Sequence, residues 1–218
     1  MSGVLSKVAV HLRRPLPELV AFAADKLRSR LWRRHLAQVG SRFHVCRGAQ
    51  LQGGECIRIG EGFYAGQMLW IEAVRRYREF TFEPLIEIGN GVICSQRVHI
   101  AATARVTIED GVLFGSGVHV TDHGHGTYRG DTQDSPDVPP ALRRPATGRP
   151  VRICRNVWLG DNVVVLPGVT IGEGSIVGAN SVVSRDLPMR VIAVGAPAVP
   201  VKFFDPVIGR WATIPDHP

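Results

Sequence analysis

The chain has 218 residues, of which 44% are hydrophobic, and this is enough for one domain with a sizeable buried core. Its formal net charge is +7, yet no stretch approaches the roughly 20 apolar residues of a membrane span, and the N-terminus lacks the apolar region of a signal peptide. The cysteines follow neither a zinc-binding nor a paired spacing. We therefore expect a cytoplasmic protein with reduced thiols, and with Cys94 in the core.

The positive charge is concentrated at the N-terminus, where residues 1–47 hold ten Lys or Arg and two acidic residues. Residues 15–38 predict a helix that begins at Pro15 or Pro17, carries an apolar face and ends before Gly40. Two interpretations of the basic segment stay open: a solvated helix face on a cap, or contact with an anionic membrane surface. Nucleic acid is disfavoured, because no recognition motif accompanies the charge.

An apolar residue returns every six positions between residues 151 and 183, and a second series precedes it by two positions. The first series is Ile153, Leu159, Val165, Ile171, Val177 and Val183; the second is Val151, Val157, Val163, Val169, Ser175 and Ser181. A period of six fits neither an α-helix nor an ordinary strand, and it is typical of a parallel coil with three flat faces. The same register extends back to Ile57, which predicts five to six coils of about 18 residues.

Two segments interrupt the register. Residues 74–84 predict a loop that leaves a corner of the coil, and residues 121–150 contain five prolines and cannot form regular strand. Residues 187–200 are rich in Pro and Gly and predict the exit from the coil. The predicted organisation is a basic helical cap (1–50), a repeat domain with these two excursions (51–200), and a tail that packs back on the coil (201–218).

Five motifs carry a resemblance to known sequences. They are CSQRVHI (94–100), IEDGVLFGSGVHVTDHGH (108–125), VWLGDNVVVLPG (157–168), IGEGSIVGANSVVSRD (171–186) and GAPAVPVKFFD (195–205). Over about residues 55–205 the chain resembles the hexapeptide-repeat acyltransferase superfamily, in its sugar and polysaccharide O-acetyltransferase branch. This resemblance implies an all-β, left-handed parallel β-helix with a short N-terminal helix and an extended loop. It also implies acetyl-CoA as donor and a sugar or glycan acceptor from bacterial surface polysaccharide synthesis.

His123 matches the position of the active-site histidine in similar enzymes. An alcohol is a poor nucleophile while protonated, and imidazole is suited to remove its proton near neutral pH. We expect direct transfer from the thioester, with no Ser or Cys nucleophile. His125 is the rival base. Asp122 could orient His123, although adjacent residues usually point apart in an extended chain.

Other residues are candidates for binding. His99 and His119 each precede a core position and should face outward, either lining the acceptor cleft or as ordinary surface residues. Arg97 stands where some relatives carry a substrate-binding Asn; it could reach a carboxylate on an acidic sugar, or serve as a plain surface residue. Trp158 matches a family tryptophan that packs beside the active site.

By resemblance, backbone groups near Gly160 and Ala179 would hold the pantetheine arm of acetyl-CoA. Ser184, Arg185 and Lys202 match positions that contact its nucleotide end, where a cation suits phosphate. Several relatives are trimers with the active site between two subunits, so a homotrimer is expected, with residues 124–150 reaching over the cleft. No metal ligand is predicted.

Three alternatives stay open. Some similar β-helix trimers are γ-type zinc carbonic anhydrases, which makes the histidines at 99, 119, 123 and 125 notable, although their spacing fits that family poorly. A non-catalytic scaffold would leave the donor-side motifs unexplained. Within acyl transfer, a streptogramin-type antibiotic or small-sugar acetyltransferase is the runner-up, because the same site can serve any well-placed hydroxyl. Serine acetyltransferase is disfavoured, because its long helical N-terminal domain is absent.

Overall fold

A computed structural model describes residues 15–214, and this part of the chain is mostly β-structure with one α-helix. Helix α1 spans Leu16–Arg33 and begins directly after Pro15. Short 3₁₀ helices lie at Gly54–Cys56 and Pro140–Leu142. Within residues 15–214, the search for a helix of membrane-spanning length and hydropathy finds none.

The strands are short, and most follow one another at intervals of about six residues. In the first half they are β1 Gln38–Val39, β2 His44–Val45, β3 Gln50–Gln52, β4 Ile57–Ile59, β5 Tyr64–Ala65, β6 Trp70–Ala73, β7 Arg76–Tyr77, β8 Phe80–Thr81, β9 Leu85–Ile88, β10 Ile93–Cys94, β11 His99–Ala102 and β12 Arg105–Ile108. In the second half they are β13 Leu113–Phe114, β14 His119–Thr121, β15 Gly124–His125, β16 Pro145–Ala146, β17 Val151–Ile153, β18 Trp158–Leu159, β19 Val164–Val165, β20 Thr170–Ile171, β21 Ile176–Val177, β22 Val182–Val183, β23 Val191–Gly195, β24 Ala198–Asp205 and β25 Arg210–Thr213.

Successive strands visit three parallel sheets in turn, so the chain winds as a three-sided coil. Sheet A has the order β1-β4-β9-β12-β17-β20, sheet B the order β2-β5-β10-β13-β18-β21-β23-β24-β25, and sheet C the order β22-β19-β14-β11-β6-β3. Between residues 151 and 183, paired strand residues are 18 positions apart, for example Ile153 with Ile171 and Leu159 with Val177. The predicted parallel coil of about 18 residues per turn is thereby confirmed.

The core runs along the inside of the coil and consists of the predicted hexad positions. Every member of the two apolar series between residues 151 and 183 is at most 2% exposed, and Cys94 is fully buried. Val and Ile dominate because β-branched side chains pack well on a flat, buried strand. Ser175 and Ser181 are tolerated there because each hydroxyl is hydrogen-bonded, Ser175 Oγ to the carbonyl of Pro188 (2.8 Å) and Ser181 Oγ to the backbone N–H of Gly195 (3.0 Å).

The coil begins earlier than predicted. The helix ends at Arg33 instead of extending to residue 38, because Gln38 and Val39 already pair in parallel with β4. Strands β2 and β3 join sheets B and C in the same way. Part of the predicted cap (1–50) therefore belongs to the first coil. Residues 1–14 of the predicted cap lie outside the described residues.

Helix α1 packs on this first coil through Ser29 and the half-buried aromatic residues Phe22 and Trp32. The hydroxyl of buried Ser29 accepts a hydrogen bond from the backbone N–H of Val45 at 3.0 Å. Other apolar side chains of the helix point to solvent: Leu16, Val20, Leu27 and Leu31 are 51–77% exposed. The apolar face predicted for the helix thus exists, but much of it lies away from the coil.

The two excursions contain short strands that the sequence did not predict. Within 74–84, β7 and β8 form a hairpin, and within 121–150, β15 pairs with β16. The excursions touch, since Tyr77 Oη donates to the carbonyl of Ala141 at 2.9 Å.

At the other end of the coil, β24 and β25 extend sheet B in antiparallel pairing, so the described part of the tail does pack back.

Candidate active site

A buried carboxylate lies where the regular coil stops. Asp122 follows β14 and is fully buried. Its Oδ1 accepts a hydrogen bond from the backbone N–H of Thr103 (2.8 Å), and its Oδ2 accepts from those of Ala104 (2.8 Å) and Arg105 (2.7 Å). Burial alone would raise the pKa of Asp122, but the hydrogen bonds from His123 and from these backbone groups outweigh it and lower the pKa. The residue is therefore a fixed anion at neutral pH.

The next residue is held by that carboxylate. Nδ1 of His123 lies 2.9 Å from Oδ1 of Asp122, and 3.2 Å from Oγ1 of Thr121. The expectation that Asp122 and His123 point apart is wrong, because β14 ends at Thr121 and the chain bends at Asp122. An ionised carboxylate can only accept, so Nδ1 carries the hydrogen and Nε2 is left as the basic nitrogen. The His123 side chain is 18% exposed and thus reaches the surface.

Three aromatic side chains form a row on the outer face of sheet C, in neighbouring coils. Trp70 pairs with His99 and His99 with His119. His99 and His119 face outward beside buried Ile100 and Val120, as predicted, and Trp70 faces the same way. His99 stacks on Trp70 with ring centroids 4.0 Å apart, and its Nδ1 lies 3.1 Å from Nδ1 of His119. The sequence reasoning missed Trp70, although it occupies the register position of His99 one coil earlier.

Burial sets the charge of this row. It lowers the pKa of His99 to about 4, with smaller contributions from His119 and His123. It also lowers the pKa of His119, again with a contribution from His123. Both rings are therefore neutral at pH 7. Buried Nε2 of His99 has no hydrogen-bond partner among the described residues.

Two other predicted residues lie at the edge of this region. His125 is exposed and packs edge-on against Tyr77, with ring centroids 5.3 Å apart. It lies in β15, within the long excursion, and its carbonyl accepts a hydrogen bond from Tyr128 Oη instead of contacting Asp122. Arg97 is exposed at the corner before β11, in a left-handed conformation (φ 55°). The structure therefore couples the carboxylate to His123 and not to His125.

Two of the predicted donor-side residues lie together with Trp158, a predicted substrate-binding residue, on the side of the coil formed by sheet B. Trp158, Gly160 and Ala179 line one shallow groove of about 330 Å³ that runs across two coils. The groove needs glycine at its floor, because a Cβ on Gly160 would lie 2.7 Å from the backbone N of Ala179. Trp158 is 48% exposed at its rim.

The remaining donor-side candidates lie elsewhere on the surface. Ser184 and Arg185 are exposed directly after β22 of sheet C, and Lys202 is exposed on β24. A larger groove of about 660 Å³ lies on sheet A, between Arg58 and Arg155, and no predicted site residue lines it. We give it no role in catalysis, because its two arginines are engaged in ion pairs, Arg58 with Glu87 and Arg155 with Glu173.

The two groups of site residues therefore lie on different sides of one chain. The histidine row belongs to sheet C, and the groove at Trp158 belongs to sheet B. Within residues 15–214, the ring contacts of the histidine row join only its own members, and the groove is lined by residues within 158–161 and 176–179. The four histidines at 99, 119, 123 and 125 also form no group that could hold a metal within these residues; the group that could is Asp25, His44 and Cys46.

A coil of parallel strands with three sides and a six-residue period is the architecture of hexapeptide-repeat proteins. A family model described as "Bacterial transferase hexapeptide (six repeats)" matches residues 150–185. The putative lipopolysaccharide biosynthesis O-acetyl transferase WbbJ of Escherichia coli (strain K12) is 38% identical over 156 residues, covering 71% of this chain and 76% of the relative. The chain therefore belongs to the hexapeptide-repeat acyltransferase superfamily, as predicted, and it is an acyltransferase.

Solved structures agree with this assignment. The N-acyltransferase AntD from Bacillus cereus, in complex with dTDP and 3-hydroxybutyryl-CoA, has the same fold at a TM-score of 0.64 and 20% identity, with 83% of this chain and 90% of that chain covered. Galactoside acetyltransferase in complex with coenzyme A matches at a TM-score of 0.51 and 26% identity, with 83% of this chain and 71% of that chain covered. The family's acyl donor is thus a coenzyme A thioester, in agreement with the predicted acetyl-CoA.

Proposed function

We propose that this protein is an acetyl-CoA-dependent O-acetyltransferase that acts on a sugar hydroxyl in bacterial surface polysaccharide synthesis, such as lipopolysaccharide O-antigen, capsule or exopolysaccharide. We also propose that its coil is left-handed, as the family resemblance implies. The observation that carries the proposal is the contact between Asp122 and His123, at 2.9 Å. A buried anion fixes one nitrogen of the imidazole and leaves the other free to accept a proton near the surface.

The reaction needs one base and no covalent intermediate. Nε2 of His123 takes the proton of the acceptor hydroxyl as its oxygen attacks the thioester carbonyl carbon, and a C–O bond forms. The tetrahedral intermediate then breaks its C–S bond, and the departing coenzyme A thiolate takes the proton back from the imidazolium. Asp122 stabilises the imidazolium between these steps, because its carboxylate is ionised and 2.9 Å away.

The acceptor binds at the row Trp70, His99 and His119. The row is aromatic and partly exposed, which suits the apolar face of a sugar ring, and its member His119 lies on β14, the strand that leads into the catalytic pair. Arg97, exposed at the corner before His99, is placed to meet an anionic group on the same acceptor. A polysaccharide unit is favoured by the similarity to WbbJ. The second candidate is a small free sugar, which the similarity to galactoside acetyltransferase favours.

The active site is completed by a second copy of the chain, in a homotrimer. The outer face of sheet B carries an apolar row in register, Tyr64, Ile93, Leu113 and Trp158, each 39–48% exposed. Water-exposed apolar rows of this kind are typical of protein interfaces. Burying this row against sheet C of a neighbour would bring the groove at Trp158 close to a His123. Acetyl-CoA would then lie in the groove, with Gly160 and Ala179 beneath it and Ser184, Arg185 and Lys202 towards its nucleotide end.

The enzyme works on the cytoplasmic side of the membrane, at its inner face. The exposed apolar residues of α1 lie on one side of the helix, and exposed Arg30 and Arg34 flank them. An amphipathic helix with this composition lies in the interface of an anionic membrane. Peripheral contact would place the acceptor site close to a lipid-linked substrate.

The experiment combines acetyl-CoA with a panel of acceptors and follows the release of the coenzyme A thiol. The panel contains O-antigen and capsule repeat units, free galactosides and streptogramin. We expect the highest kcat/KM on a glycan repeat unit. NMR of the product then identifies the hydroxyl that has been acetylated. Highest kcat/KM on a galactoside would support the second candidate, and turnover of streptogramin alone would overturn both.

Matched variants test the base. His123→Ala should lower kcat by roughly 10²–10⁴-fold, the usual contribution of a general base. His125→Ala, two residues away in the same excursion, should retain kcat within about threefold, because its ring contacts Tyr77 and not the carboxylate. A normal kcat in His123→Ala, or an equal loss in His125→Ala, would contradict the assigned mechanism.

A further inference from the structure

Three metal-ligating side chains meet between helix α1 and the start of sheet B. Asp25 comes from α1, His44 from β2, and Cys46 directly follows β2. One ligand atom from each lies within 4.8 Å of the others, and all three residues are partly buried. The acyl-transfer chemistry uses none of them.

The spacing within this cluster suits a small divalent ion. Sγ of Cys46 lies 3.8 Å from Nε2 of His44. Zinc bonds of about 2.3 Å to sulfur and about 2.0–2.1 Å to nitrogen, at a tetrahedral angle, place these two atoms about 3.6 Å apart. The observed separation therefore needs a movement of only a few tenths of an ångström.

We propose that Asp25, His44 and Cys46 form a zinc site that fastens helix α1 to the first coil. A thiolate, an imidazole and a carboxylate are the ligand types that zinc prefers, and the negative charges of thiolate and carboxylate balance those of a divalent ion. The thiol proton leaves to solvent on binding. Tyr64 Oη, 3.7 Å from the sulfur, or a water molecule would complete the tetrahedron.

The surroundings hold the ligands in place. The His44 ring is stacked between Phe22 of the helix, with centroids 6.1 Å apart, and Tyr64 of the next coil, at 5.3 Å. Arg28 donates to Oδ1 of Asp25 from one turn further along the helix. A carboxylate has two oxygens and four lone pairs, so Asp25 can keep the guanidinium and bind the metal as well.

This site has no recognisable motif in the sequence. His44 and Cys46 are separated by one residue, and Asp25 lies in another element, so the spacing matches no common zinc motif. Two adjacent outward positions at the end of a strand bring the imidazole and the thiol to the same surface. The packing of α1 then supplies the carboxylate.

The test titrates Co²⁺ and then Zn²⁺ into the metal-stripped full-length protein. We expect a thiolate-to-cobalt charge-transfer band that saturates at about one ion per chain and is abolished by Zn²⁺. Zn²⁺ should also raise the Tm, because a ligand that binds only the folded state stabilises it. The absence of both the band and the Tm shift in the unmodified protein would overturn the proposal without any variant.

Variants then assign the ligands. Cys46→Ser should remove the band and the Tm shift, and Asp25→Asn should weaken the zinc affinity on the order of tenfold or more. Cys154→Ser, which removes a partly buried thiol far along the coil, is the matched control and should keep both signals. His44→Gln replaces Cys46→Ser if the latter does not fold. Loss of the band in Cys154→Ser with retention in Cys46→Ser would show that the wrong thiol had been chosen and would overturn the assignment.

Discussion

Oδ1 of Asp122 accepts a hydrogen bond from Nδ1 of His123 at 2.9 Å, although the two residues are adjacent in the chain. The contact forms because the carboxylate points into the coil while the imidazole folds back over the bend that follows β14. Backbone N–H groups of residues 103–105, one coil earlier, hold both carboxylate oxygens. The proposed catalytic pair therefore lies at the very start of the long excursion and is anchored to the coil.

The first prediction concerns this carboxylate. Asp122→Asn keeps the shape but replaces one acceptor oxygen by an NH₂ group, so a backbone N–H is left unpaired and His123 loses the anion that fixes its tautomer. We expect kcat to fall roughly 10²–10⁴-fold and the free energy of unfolding to fall by about 1–3 kcal/mol. Steady-state kinetics and urea unfolding measure the two effects.

The control for Asp122→Asn is Asp110→Asn. Asp110 also accepts a backbone N–H one coil away, that of Asn90 at 2.7 Å, but at the exposed corner between sheets A and B. Its replacement should leave kcat within about twofold. If Asp122→Asn keeps the activity of Asp110→Asn, then the carboxylate does not orient the base.

The second prediction concerns the pH dependence of stability at the row of aromatic residues. Burial lowers the pKa of His99 to about 4, while the pKa of histidine in an unfolded chain is about 6.5. Between these values the unfolded chain binds a proton that the folded state excludes. The contribution of neutral His99 is thus fully present above about pH 6.5 and is lost as the pH falls towards 4.

His99→Phe isolates this effect, because phenylalanine keeps the stacking on Trp70 and does not titrate. It also removes the ring nitrogen that lacks a partner. We expect the Tm of the unmodified protein to fall more steeply than that of His99→Phe between about pH 6.5 and 4. Parallel Tm curves over this range would mean that His99 does not exclude the proton.

The parts of the fold that could be predicted from the sequence are those in which apolar residues recur regularly every six positions. The hexad positions between 151 and 183 predicted the buried core, because in a coil of fixed register the same hexad position faces the interior in every turn. The same spacing runs through Val39, Val45, Leu51 and Ile57, and it could have placed the first coil. Polar and basic residues around these positions, such as Gln38, Arg42 and Arg47, obscure the pattern.

The Asp122–His123 contact could not be predicted in the same way. Val118, Val120 and Asp122 are alternately inward, and this alternation was a usable sign that Asp122 is buried. The bend that turns His123 back onto Asp122 depends on hydrogen bonds to Thr103 and its neighbours in another coil, and periodicity carries no information about them. Trp70 could not be predicted from the register, because the hexad pattern marks only inward positions, here its buried neighbours Leu69 and Ile71.

The third prediction concerns assembly. Leu113 is 39% exposed in the middle of the apolar row on sheet B. In a trimer the substitution Leu113→Glu would bury an unpaired charge and so prevent assembly. Light scattering after size-exclusion chromatography should give the mass of a single chain for this variant and about three times that mass for the unmodified protein. Val207→Glu, at a 90% exposed apolar residue outside the row, should keep the trimer. A monomeric unmodified protein would contradict the proposed assembly.

The last prediction concerns the outward face of α1. Leu27 and Leu31 are 59% and 51% exposed, and their position beside Arg30 suits insertion into an anionic lipid surface. We expect the full-length protein to float with vesicles that contain phosphatidylserine or phosphatidylglycerol, and not with neutral phosphatidylcholine vesicles. Each apolar side chain contributes about 1.5–3 kcal/mol when buried, so the double variant Leu27→Ser/Leu31→Ser should bind at least tenfold more weakly. Val207→Ser is the control, and equal binding by the two variants would show that the helix face does not contact the membrane.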